Sequence, residues 1–209
     1  MAAPDVFFLT IKGKGGHGST PHETIDSIAI GAQVVTNLQY IVSRNTDLLD
    51  HLVLSIGKFV GGEAANVIAN SVEISGTVRS FDLKFRESMP ILMERVIKGI
   101  TEAHGASYEF NFLTGYRPVI NDNEVTKLIE ETVREVYGEH SVDHPKPTMG
   151  AEDFSAFQQK APSNYFLIGA RNKEKGITYP HHHPRFTFDE DAMEYGVNIF
   201  IHAVREILG

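Results

Sequence analysis

A chain of 209 residues holds one large domain or two small ones, and 42% hydrophobic residues with 10% aromatics supply enough apolar surface for a real core. The net charge of −8 argues against nucleic acid, whose phosphates reward a concentrated basic surface, and the absence of cysteine excludes disulfides, thiolate metal sites and a cysteine nucleophile. No run is long and apolar enough to cross a membrane, and no basic segment followed by an apolar run opens the chain, so a cytoplasmic protein without a secretory leader is expected.

Val6 to Lys12 is rich in β-branched and aromatic residues and predicts a strand. A glycine-rich loop, Gly13-Lys14-Gly15-Gly16-His17-Gly18, follows it. Thr20-Pro21-His22-Glu23 predicts a helix start, with Thr20 as cap and Glu23 closing a capping box. Ile25, Ile28, Ala32, Val35, Leu38 and Val42 then give that helix one apolar face, and Arg44 to Asp47 ends it. Strands are expected near His51–Val60 and Ser71–Phe81. In the second, Val72, Ile74, Gly76 and Val78 alternate with Glu73, Ser75, Thr77 and Arg79, as in a half-buried strand. Met89 to His104 predicts a helix with Pro90 in its first turn, where proline is tolerated. Ser107 to Leu113 alternates again, with Tyr108, Phe110 and Phe112 on one face. The order β-α-β-β-α-β is that of a ferredoxin-like sandwich, an α+β fold with two helices on one face of a four-stranded antiparallel sheet. Gly115-Tyr116-Arg117-Pro118 marks the exit. Beyond it are expected a helix at Asn123–Tyr137, a short helix opening at Glu152, a buried strand at Asn164–Ala170 and a last helix from Asp189. One strand among three helices is too little sheet to close a core, which suggests that a partner segment is missing.

Chemistry concentrates in four places. The glycine loop lacks the Gly-Lys-Ser/Thr ending of a phosphate-binding loop, and its glycines better serve to carry His17 out on a tight turn. Asn66 opens a strand and Arg79 follows thirteen residues later; a guanidinium fork with an amide suits a carboxylate, though a turn asparagine and a surface arginine account for each alone. Glu152 and Asp153, at a helix start, are helix caps or the partners of a metal-bound histidine. His181-His182-His183-Pro184 places three imidazoles on a proline-restricted loop, a pattern that serves as a metal ligand set or as a solvated turn.

Taken in order, Ile11 to Gly18, Pro21-His22, Gly61-Gly62 through Asn66-Val67-Ile68, Gly76-Thr77-Val78-Arg79, Gly150 to Phe154, and His182-His183-Pro184-Arg185-Phe186 leading to Asp189-Glu190 resemble the C-terminal half of the M20 metallopeptidases. That group holds aminoacylases, hippurate hydrolases, carboxypeptidases and indole-acetyl-amino-acid hydrolases. Ala69 stands where the family usually has proline. The resemblance implies residues 4–116 as a lid and dimerisation domain, and 117–209 as the last part of an α/β zinc-peptidase catalytic domain. It implies His182 as a metal ligand, His17 as the lid histidine that polarises the scissile carbonyl in a partner subunit, and Asn66 and Arg79 as holders of the substrate carboxylate or oxyanion. Zinc, or cobalt or manganese, would be the metal, a homodimer the assembly, and an N-acyl amino acid or small peptide the substrate. The family's other metal ligands and its glutamate base precede the lid, so this chain alone is expected to be inactive and to need an N-terminal half, joined to it or separate. A non-enzymatic ferredoxin-like dimerisation or interaction module is the alternative.

Overall fold

The structure is a computed structural model that describes residues 1–47 and 49–209. The chain divides into two compact units, Met1–Val119 with Pro147–Ala156, and Ile120–Lys146 with Phe157–Gly209.

In the first unit, strict alternation makes the long strands. β1 (Ala3–Lys12) buries Phe7, Leu9 and Ile11, whereas Val6 and Phe8 on its other face are 38% and 49% exposed, so only one face of the sheet is covered. The two-residue strand β2 (Gly16–His17) follows, then helix α1 (Ser27–Tyr40), which runs into a π turn at Ile41–Asn45. Next come β3 (Leu52–Gly61), the short β4 (Val67–Ile68), β5 (Ser71–Ser80), α2 (Leu83–Ala103) and β6 (Ser107–Thr114). The four long strands form one antiparallel sheet in the order β3-β5-β1-β6, while β2 and β4 pair separately. Ile30, Val34 and Leu38 of α1 and Met89, Met93 and Ile97 of α2 pack on Phe7, Leu9, Ile11, Val72, Ile74 and Val78 of the sheet. Phe7 pairs with Gly76, and a Cβ there would sit 2.1 Å from the Ser55 carbonyl oxygen and 2.8 Å from the Phe7 ring. Glycine is therefore what lets the central ring lie on the sheet.

Three local expectations differ from the structure. Pro21–Glu23 forms only a 3-10 turn, and Thr20 makes no side-chain cap. The α-helix starts at Ser27 because the Asp26 carboxylate accepts from the N–H groups of Ile28 and Ala29, at 3.0 and 3.1 Å. Its buried stripe is accordingly Ile30, Val34, Leu38 and Ile41. α2 likewise opens before Met89, capped by Asp82 on the Phe85 N–H at 2.6 Å, and runs through Pro90, whose missing donor costs one intrahelical bond. At the sheet's end, Arg86 donates to both oxygens of Asp5 (2.9 and 2.6 Å) and to the Gly115 carbonyl (2.8 Å), and the Gly115 N–H returns a bond to Asp5 at 2.9 Å.

The second unit holds α3 (Asn123–Tyr137) and α5 (Asp191–Leu208); the four-residue α4 (Ser155–Gln158) opens after Glu152, not at it, and the last helix begins at Asp191. Tyr137 of α3 meets Tyr195 of α5 edge to face, with ring centroids 5.3 Å apart. The expected strand over 164–170 is instead an irregular segment without a ladder, half-buried at most positions. Its backbone is served by other groups. The Asn121 side chain both accepts from the Tyr165 N–H and donates to the Tyr165 carbonyl, each at 2.9 Å, and the Asp189 N–H donates to the Ala170 carbonyl. A strand needs a second backbone alongside it, and among the described residues none pairs with this one.

Candidate functional site

The loop after β1 is built by close approach. Gly13 donates to the Asn70 carbonyl at 2.8 Å, Lys14 to the Ile25 carbonyl, Gly15 to the Asn70 side-chain oxygen at 2.9 Å, and Gly18 to the Asn66 carbonyl at 2.8 Å. A Cβ at Gly13 would lie 2.1 Å from the Ile25 oxygen and one at Gly15 2.6 Å from that of Ile68. These N–H groups are thus spent inside the protein, leaving no nest for a phosphate. What the lacing achieves is to fix His17, which pairs with Val67, beside Asn66. Both are exposed.

On the His17 ring, Nδ1 receives the Ser19 N–H at 3.1 Å and lies 2.8 Å from the Ser19 hydroxyl. Nothing in residue types alone flagged Ser19; the His-x-Ser spacing was its only sign. The structure does not bring Arg79 to this pair. Lys12 and Ser71 pair at the loop end of the sheet, and Arg79 lies eight residues further along β5, about 26 Å at about 3.3 Å per residue. There its guanidinium donates to the Val78 carbonyl at 3.2 Å.

In the second unit the three histidines have different surroundings. His181 sits edge-on to Phe186 at 4.8 Å, and with Arg171 and Tyr179 it lines a cavity of about 290 Å³. His183 stacks on Tyr179 at 4.3 Å, and its Nδ1 accepts the Arg185 N–H at 3.0 Å. That bond puts the proton of neutral His183 on Nε2, so neither ring nitrogen has a lone pair to offer a metal. His182 makes no such contact among the described residues, is exposed, and is the one described non-glycine residue with positive φ, +66°. A left-handed backbone at a histidine costs about 1–3 kcal/mol and is concentrated at functional positions. His183 is thus the one whose ring is engaged by a hydrogen bond, and His182 is set apart from His181 by its left-handed backbone.

The loop is fastened from outside. Lys175 donates to Asp189 and Asp191, both at 2.7 Å, and the Asn172 amide donates to Asp189 at 2.6 Å. The hydrogen bond from Lys175, with that from Asn172 behind it, holds the Asp189 carboxyl below its usual range, and the bonds that Lys175 donates to Asp189 and Asp191 push its own ammonium up. In the first unit, Asp153 is pushed up by its hydrogen bond with the neighbouring Glu152 carboxyl. Among the described residues, no group of three or more His, Asp or Glu side chains is placed to hold a metal ion. One imidazole does not make a catalytic metal site, which takes about three protein ligands.

Residues 35–206 match the model of the Peptidase family M20/M25/M40. Among curated proteins, the chain is 67% identical to an N-acyl-L-amino acid amidohydrolase of Geobacillus stearothermophilus over 59% of this chain and 34% of that one. It is 40% identical to thermostable carboxypeptidase 2 of Saccharolobus solfataricus over 94% of this chain and 49% of the other. A crystal structure of a Bacillus subtilis protein described as a dinuclear metal binding peptidase from the M20 family superposes with a TM-score of 0.79 at 30% identity, covering 100% of this chain and 51% of that one. The chain spans about half the length of the curated relatives it matches. With most of its length under one family description and the fold shared, this chain belongs to the peptidase family M20/M25/M40.

Proposed function

We propose that this chain is the lid and C-terminal portion of a metal-dependent hydrolase that cleaves the amide bond of N-acyl amino acids or small peptides. Residues 4–116 form the lid and dimerisation domain and 117–209 complete a catalytic domain whose remainder lies outside this sequence. The observation that carries this reading is the family match across residues 35–206, in a chain that laces His17 to Asn66 and leaves His182 exposed in a strained loop. His182 is one metal ligand, the other ligands and the general base being supplied from outside the chain. His17 donates to the scissile carbonyl, and Asn66 and Arg79 hold substrate oxygens. Because about 26 Å of β5 separates Arg79 from the His17 loop, the two serve one small substrate only if they come from different protomers.

In a protein that also carries the upstream half, His17→Ala and His182→Ala are expected to lower turnover at least a hundredfold with the fold intact by circular dichroism. Mixing His17→Ala with Arg79→Ala protomers is expected to restore about one quarter of wild-type activity, since half the dimers are mixed and each has one intact site. No recovery on mixing would overturn the sharing of one site by His17 and Arg79 of different protomers. The alternative, a non-enzymatic interaction module, is favoured by the lack of a three-ligand metal cluster among the described residues. No metal-dependent amide hydrolysis by a folded protein that carries the upstream half would decide for it.

A further inference from the structure

A main-chain N–H can only donate, so the 3.1 Å bond from Ser19 N–H to His17 Nδ1 identifies Nδ1 as the nitrogen with the lone pair. The Ser19 hydroxyl, 2.8 Å from the same atom, is then a second donor to it. The opposite tautomer would set an Nδ1–H against the Ser19 N–H and lose that bond, keeping only an Nδ1–H donated to the Ser19 hydroxyl oxygen. The backbone between the two residues is fixed from three sides. His17 pairs with Val67, Gly18 donates to the Asn66 carbonyl at 2.8 Å, and the His17 carbonyl accepts from the Thr20 N–H at 3.0 Å. The Ser19 N–H is therefore held at the ring and not merely free to visit it.

We propose that Ser19 is a positioning residue that locks neutral His17 as the Nε2–H tautomer, so that the ring presents a hydrogen-bond donor to an amide substrate. The chemistry requires this sense. An amide carbonyl oxygen only accepts, and it gains negative charge on attack; an Nε2 lone pair would repel it, whereas an Nε2–H stabilises it. The inference rests on the proposed role of His17 for its catalytic value, but the tautomer is a property of this chain alone. A second use of the same device in the other unit, Arg185 N–H on His183 Nδ1 at 3.0 Å, supplies an internal standard.

The test is a two-bond proton–nitrogen correlation spectrum of the 209-residue chain with ¹⁵N-labelled histidine, at a pH where imidazole is neutral. His17 is assigned by the signal lost in His17→Ala. His17 and His183 are expected to show a single Nε2–H pattern, while exposed His22 and His140 show the averaged pattern of free imidazole. Ser19→Ala, which keeps the N–H, should shift His17 part of the way towards that average, and Ser19→Pro, which removes both donors, the whole way. A His17 pattern equal to that of His22 in the wild type, or one unmoved by Ser19→Pro in a chain whose amide spectrum stays dispersed, overturns the proposal. In the protein carrying the upstream half, Ser19→Ala is expected to lower kcat about two- to tenfold with KM little changed, and Ser19→Thr to restore it. A locked tautomer with full turnover in His17→Ala would instead remove the catalytic reading and leave the tautomer standing.

Discussion

Arg86 and Asp5 are 6% and 1% exposed, and Arg86 Nε and Nη2 meet both Asp5 oxygens. Such a pair is weak as a source of stability but costly to break, because the survivor is left as a buried, uncompensated charge. Arg86→Met or Asp5→Ala is expected to lower unfolding free energy by about 3–5 kcal/mol, read from urea midpoints, and the Asp5→Leu/Arg86→Met double variant by much less. The pair also fixes Gly115, the last contact before the chain leaves the sheet. At the other end of the chain, the Lys175 clamp sets a pH window. Asp189 is depressed, so its contribution is present above the ordinary carboxylate pKa of about 4 and fades as pH falls through the lower folded value. Lys175 is raised, so its share is present below about pH 10 and fades as pH climbs through the higher folded value. Amide protection of residues 172–177 is expected to stay level between these limits and to drop on acidification. Lys175→Met should shrink that drop, leaving the part that the Asn172 bond supplies, and salt should weaken it, since the ammonium is half exposed.

At the scale of elements, caps decide where the helices begin. Asp26→Ala is expected to cost about 1 kcal/mol in thermal or urea unfolding, whereas Thr20→Ala should stay within about 0.5 kcal/mol. An equal loss in both would put the helix start back at Thr20. Gly76→Ala tests the sheet. Its new methyl meets the Ser55 carbonyl and the Phe7 ring at once, so overpacking of at least about 1–3 kcal/mol is expected, relieved in part by Phe7→Leu.

Across the whole molecule, apolar surface is left over. On α5, Met193, Val197, Phe200, Val204 and Ile207 recur at spacings of three and four residues and are 50–62% exposed, beside the buried stripe of Ala192, Gly196, Ile199 and Ala203. The segment 164–170, which joins no ladder, belongs to the same unit. These features support the proposal that further chain completes this unit. The 209-residue chain alone is accordingly expected to bind a hydrophobic dye and to self-associate, and a chain with the upstream half to do so far less. Equal dye binding by both would count against completion by that half.

Periodicity and composition alone determined the four long strands of the first unit, the alternation that buries Val72, Ile74 and Val78, and α3 from Asn123 to Tyr137, because those depend on local pattern. The ordered motifs determined the family. Only the tertiary structure decided what depends on distant partners. It set the helix starts, which turned on which carboxylate reached the free N–H groups, and the fate of 164–170, which had strand composition but no backbone to pair with. It paired Asp5, a charge at a buried strand position, with an arginine 81 residues away. It brought Asn66 to His17 and held Arg79 at the far end of β5, a separation that residue spacing does not encode.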